Sequence, residues 1–210
     1  MALDLEEQEQ LAEVKAWWRA NGTMVTTVIT AVAISLAGWQ GWRWVQNTRS
    51  VEASAMYDTL VKAVQAGDAK AVRDAGGALA ENHPGMLYAS MGALVSARFH
   101  ADRGDAKNAK AQLQWVIERS ASAELRDLAR LRMAVLLLDE KAHDQALAQL
   151  DAPHGAAFAS QFAALRGDIE TDRNRIEQAK AAYKQAIDKA GKSDQALIEG
   201  VRMRLEALGG

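Results

Sequence analysis

The rhythm of hydrophobic and polar positions along this chain changes at Arg19. The 23 positions between Arg19 and Arg43 carry no charged side chain. As a helix such a run reaches roughly 34 Å, enough to cross a hydrocarbon layer about 30 Å thick with some tilt. Trp17 and Trp18 stand at one end, and Trp39, Trp42 and Trp44 at the other. An indole is apolar in body with one N–H donor, which favours the headgroup level of a bilayer. The pattern therefore predicts a membrane-spanning helix over residues 21–44, with the five tryptophans as its two interfacial belts. Arg43 and Arg49 can extend toward the phosphates beyond them.

A cleaved signal peptide is the rival reading, and the flank argues against it. Its leading region should be short and basic, whereas residues 1–19 carry Asp4, Glu6, Glu7, Glu9 and Glu13 against Lys15 and Arg19. An uncleaved anchor is expected. Orientation stays open on charge, because Lys15 and Arg19 before the span are balanced by Arg43 and Arg49 after it. Two faces of the span differ. Val25, Val28, Ile29, Val32 and Leu36 form a bulky stripe suited to lipid. Opposite them Ala33, Ala37 and Gly41 recur every fourth position, a small-residue spacing that lets another helix come close in a membrane.

From Val45 onward the period changes to that of paired helices. Three short segments share a small residue at one point of a helical pattern: Ala109 in "NAKAQLQWVI", Ala146 in "DQALAQL" and Ala179 in "EQAKAAYKQAI". They lie 37 and 33 residues apart, with Ala71 as a weaker member 38 before Ala109. Periods in the middle thirties with two helices per unit mark tetratricopeptide-type repeats. The last unit is the clearest. Gly167 stands twelve before Ala179, Tyr183 four after it and Ala186 seven after it. Small residues are needed where paired helices approach closely, and Tyr183 fills the gap to the next hairpin.

The expected hairpins are 50–65 with 69–81, 86–102 with 106–119, 124–139 with 143–150, and 156–171 with 175–190. Pro153 cuts the third short. Residues from Ser193 or Asp194 start a capping helix with Leu197, Val201, Leu205 and Leu208 on one face. With neither proline nor glycine between Trp42 and Ala66, the membrane helix can continue into the array. The fold class is all-α: one transmembrane helix, then an α-solenoid of hairpins.

Composition narrows the chemistry. A net charge of −2 and a pI near 6.1 give no basic face for nucleic acid. Without cysteine there is no disulfide, thiolate nucleophile or acylated lipoprotein cysteine. His83, His100, His143 and His154 are scattered without metal-ligand spacing and read as exposed turn residues. Adjacent Asp139 and Glu140 read as a solvated turn, and "GDA" at Gly67 and Gly104 as turn and cap. Met86, Met91 and Met133 read as core filling. No catalytic, cofactor or metal residues are assigned, and a non-enzymatic binding protein is expected.

The whole chain resembles the YfgM-type ancillary subunits of the SecYEG translocon. The features that carry the resemblance are the start "EEQEQLAEVKAWWRANG", the span ending in "GWRW" and the late "LRGDI…AKAAYKQAI". It implies a single-pass bacterial inner-membrane protein with a cytoplasmic segment over 1–20 and a periplasmic repeat domain over 45–210. It also implies association with SecYEG, with a membrane-anchored periplasmic chaperone of the peptidyl-prolyl isomerase type, and with unfolded exported proteins. The implied function is handover of newly exported proteins. The alternative is a soluble or tethered repeat scaffold of another envelope assembly. The irregular "DAPHG" stretch departs from the repeat pattern, so a groove there would differ in shape.

Overall fold

The structure, a computed structural model, describes residues 2–191 and 194–209. Among them it contains nine α-helices and no strand. These are α1 (Ala2–Ala66), α2 (Ala69–Asn82), α3 (Leu87–Ala101), α4 (Ala106–Arg119), α5 (Ala123–Asp139), α6 (His143–Leu150), α7 (Ala159–Asp172), α8 (Ile176–Lys189) and α9 (Gln195–Ala207). A single 3₁₀ turn, Ala156–Phe158, precedes α7. The chain divides into two compact units, Met1–Val51 and Glu52–Gly210.

In the first unit, α1 is long and apolar enough to cross a membrane, and its apolar stretch is almost wholly exposed. Four hydroxyls within that stretch are satisfied by the helix itself. Thr26 donates to the Gly22 carbonyl at 2.8 Å, Thr27 to Thr23 at 2.7 Å, Thr30 to Thr26 at 2.8 Å and Ser35 to Ala31 at 2.8 Å. In hydrocarbon there is no water to accept these protons, so the back-bonds remove a desolvation cost. Near the far end the Arg43 guanidinium lies over the Trp39 ring, 4.8 Å from its centre.

The second unit is a row of helical hairpins, and one turn design repeats through it. Gly67 and Gly104 both adopt φ of +73°, and Lys141 and Asn174 adopt 61° and 59°. The next residue's N–H then reaches back five positions: Asp68 to Ala63, Asp105 to His100, Ala142 to Leu137 and Arg175 to Glu170, at 2.8–3.1 Å. This left-handed stop satisfies the last carbonyls of one helix while aiming the chain into its partner. Asp68 and Asp105 go on to cap the following helix. Asp68 accepts from the Lys70 and Ala71 amides, and Asp105 from the Asn108 amide.

The turns fix the repeat register and correct the sequence reading by one residue. Ala109, Ala146 and Ala179 each follow their left-handed residue by five positions and are fully buried. In the first hairpin that position is Val72, also fully buried, while Ala71 is only half-buried. The period is therefore 37, 37 and 33 from Val72 onward.

Two of the histidines expected at exposed turns are buried. His83 is 8% exposed and ends α2, and His100 is 4% exposed within α3. His100 Nδ1 donates to Asp105 at 3.0 Å, so the capping carboxylate also covers the ring. His143 and His154 are half-buried. The former donates to Asp172, and the ring of the latter lies 4.2 Å from that of Phe162. Of the methionines, Met133 is buried, and Met86 and Met91 are half-buried.

The irregular stretch after α6 is held in place. Asp127 of α5, only 4% exposed, accepts from the Gly155 amide at 2.9 Å and from Arg130 at 3.2 Å. A buried carboxylate is tolerated when backbone and guanidinium donors replace its water. The largest core cluster runs through α3–α7 around Leu113, Met133 and Phe162. A second joins α7, α8 and α9 around Ala179, Tyr183 and Val201. Val201 carries the apolar face of α9, with Leu197, Leu205 and Leu208 packed beside it.

Candidate binding groove

The first helices of three hairpins, α3, α5 and α7, each contribute one face to a shared hollow in the second unit. Its volume is about 540 Å³, and Leu113 of α4 and Leu197 of α9 complete its walls. The helix register explains which side chains arrive there. Arg98, Val135 and Asp168 occupy equivalent hairpin positions, 37 and 33 residues apart, each one residue after the small residues Ala97, Ala134 and Gly167. Leu131 and Ala164 stand three residues before their small residue, and Arg132 and Leu165 two before. One helical face thus recurs three times, and the stacking joins the faces into a single lining.

The groove is apolar with a few placed charges. Val135, in the last turns of α5, is 44% exposed. Arg98 pairs with Asp102 at 3.5 Å. Asp168 accepts from the Tyr183 hydroxyl at 2.8 Å and from Arg204 at 3.0 Å. Burial pushes the Asp168 carboxyl above its ordinary range, partly opposed by the phenol and guanidinium donors. Arg132 donates to the Leu94 carbonyl at 3.3 Å. Burial and the neighbouring charge of Arg98 both lower its guanidinium from the usual value. A second hollow of about 370 Å³ shares Arg98, Asp102 and Arg132 and continues past Leu94, Val95 and Phe99.

The residues singled out from sequence lie elsewhere. Ala109, Ala146, Ala179 and Ala186 are fully buried between helices. Tyr183 is 2% exposed, and its ring lies against Gly167 so closely that a Cβ there would sit 2.3 Å from it. These residues build helix contacts and none of them lines the groove. Trp17, Trp18, Trp39, Trp42 and Trp44 are 50–70% exposed along α1. Ala33, Ala37 and Gly41 are exposed beside them, and a Cβ at Gly41 would meet nothing within 4 Å. Apart from Leu197 on the capping helix, the groove residues went unnamed at the sequence level; once the hairpin register is known, they fall at fixed offsets from Ala97, Ala134 and Gly167. Among the described residues no three His, Asp or Glu side chains are grouped as metal ligands would be.

Comparison with known proteins gives a consistent answer. The family model described as a tetratricopeptide repeat-like domain matches residues 15–210. A protein of Neisseria gonorrhoeae is 28% identical over 99% of this chain and 100% of its own length. One of Haemophilus influenzae is 28% identical over 95% and 97%, and one of Escherichia coli K12 is 28% identical over 96% of each chain. All three carry the name Ancillary SecYEG translocon subunit. No solved structure matches the chain. With a left-handed turn repeated at 37, 37 and 33 residues, and relatives aligned from end to end, the chain belongs to the tetratricopeptide repeat-like domain family and, with these relatives, to its YfgM-type members.

Proposed function

We propose that this chain is an ancillary subunit of the SecYEG translocon, a non-enzymatic adaptor anchored in the bacterial inner membrane by one span. The observation that carries this reading is the near full-length match to relatives of that name, which includes the N-terminal helix as well as the repeats. The span supplies position and the repeat groove supplies recognition. Stacked hairpins of this kind bind extended or helical segments along the face lined by their first helices. In the finer reading residues 1–20 are cytoplasmic, 21–44 span the bilayer and 45–210 lie in the periplasm. There the groove works beside a membrane-anchored chaperone of the peptidyl-prolyl isomerase type, receiving newly exported chains.

Photocrosslinking in intact cells tests this, with capturing groups at Val135 and at Trp44. Adducts to translocon subunits are expected from Trp44, and to the chaperone or exported chains from Val135. Adducts confined to an unrelated envelope assembly would overturn the reading. A reporter fused after Gly210 should behave as exported, and protease added to spheroplasts should remove the repeat domain. Protection of that domain would reverse the orientation.

A further inference from the structure

The charges in the groove are unequally satisfied. Among the described residues two of its guanidiniums have no carboxylate partner: exposed Arg103 at the outer end of the second hollow, and half-buried Arg132, shared by both hollows. Asp102 has Arg98, and Asp168 has Arg204 and the Tyr183 hydroxyl. Half-buried Arg132 has only the Leu94 carbonyl, with no carboxylate partner among the described residues. A guanidinium carries five N–H donors in a rigid fork that matches a carboxylate two bonds at a time. Partly removed from water and next to a second arginine, it has a strong call for negative charge.

The geometry points to a docking site for a peptide segment whose apolar side chains flank an internal Asp or Glu, the carboxylate pairing with Arg132 on α5. The inference rests on the reading of this groove as the recognition face. Two observations choose that occupant. The walls on both sides of Arg132 are apolar: Leu131, Val135 and Leu165 in one hollow, Leu94, Val95 and Phe99 in the other. A segment passing Arg132 therefore has apolar surface to cover in both directions. Its carboxylate then belongs to a side chain within the segment, since a chain terminus would leave half the lining bare. The charge balance of the second hollow, three arginines against Asp102, favours an acidic over a basic segment. Arg103, exposed and stacked 3.6 Å over Phe99, marks the outer end of the second hollow.

The test uses the full chain in detergent micelles. The probes are the labelled peptide GSLAVEALSG, blocked at both ends, and its counterpart GSLAVQALSG. Fluorescence anisotropy should show the glutamate peptide binding about tenfold more tightly, the scale of one charge-assisted contact. R132Q should abolish that preference while leaving the glutamine peptide's affinity within twofold. R132K, which retains the charge without the fork, should keep part of the preference, and R103Q should keep nearly all of it. Equal binding of both peptides to the unaltered chain, or a preference that survives R132Q, would overturn the inference. Loss of the preference in R103Q instead of R132Q would also overturn it. If neither peptide binds, the inference fails as well. Recovery of translocon subunits with the unaltered chain reports separately on the parent reading.

Discussion

Small residues do opposite work in the two units of this molecule. Along α1, Gly38 and Gly41 have nothing within 4 Å of where a Cβ would sit, and Ala33 and Ala37 are exposed. In the repeats, a Cβ on Gly167 would lie 2.3 Å from the Tyr183 ring, and one on Gly92 would lie 2.7 Å from Leu79. Smallness inside the repeats is a steric requirement already met by a partner within the chain. On α1 it leaves an open surface. Composition alone would score the two stretches alike, so the distinction lies in what each residue faces.

The largest effect should come from filling the tightest contact. Gly167→Leu is expected to cost about 3 kcal/mol or more in thermal or denaturant unfolding of the repeat domain, since the buried Tyr183 ring cannot yield without moving α8. Lys184→Leu, on the exposed side of the same helix, should stay within about 0.5 kcal/mol. Equal melts for the two variants would show that the α7–α8 packing is misread. Next in size is Tyr183→Phe. It strips half-buried Asp168 of one of its donors and should cost about 1 kcal/mol. A neutral result would mean that Arg204 satisfies that carboxylate alone.

The turns offer a smaller test in both directions. Gly104 sits at φ +73° with open space around it, so Gly104→Ala isolates the backbone penalty, about 1 kcal/mol. Asn174 adopts 59° in the equivalent turn, and Asn174→Gly should raise stability by less than about 1 kcal/mol. If both changes move the melting temperature the same way, the shared turn design is wrong.

Titration separates two aspartates of α7. Hydrogen bonds from Lys141 and then His143 lower the Asp172 carboxyl below 3.8, so its stabilisation is present above that value and lost as pH falls through the lower folded value. Burial raises Asp168, which holds its proton more tightly folded than unfolded, so its contribution weakens as pH rises from 3.8 through the raised value. D172N should therefore flatten the acid limb of the stability profile, and D168N should lift the limb above it. Matching profiles for the two variants would remove the contrast. Smallest of all, Leu at Ala33, Ala37 and Gly41 together should shift the repeat domain's stability by no more than about 0.5 kcal/mol. A fall in translocon recovery at equal membrane abundance would then report a helix contact in lipid, not a folding defect.

Much of the helix layout is legible in the sequence, because its punctuation is local. Gly67, Gly104 and Pro153 act on their own neighbours, and the observed helices begin and end close to the positions they suggest. What is not local was harder to read. The search for short side chains settled on Ala71, whereas burial selects a position, four after Asp68, and there accepts Val72. His100 reads as a turn residue until Asp105 is seen reaching back over its ring. Lys141 gives no sequence sign of its left-handed backbone, because lysine has no preference for it; only the equivalence with Gly104 reveals it. The groove was missed for a related reason. Which face of α3, α5 and α7 opens outward depends on how three hairpins stack, and no single segment records that.

The division of the core into separate clusters bears on how the chain yields to force. Its last cluster is closed at the C-terminal end by α9, held through Val201, the Arg204–Asp168 pair and Lys180 donating to the Gly209 carbonyl. In an array whose units depend mainly on their neighbours, traction from that end releases one unit at a time. Pulled from the C-terminus, α9 would be the first unit to detach, and the α7–α8 hairpin, with the Tyr183 ring seated on Gly167, would be the next to bear the load.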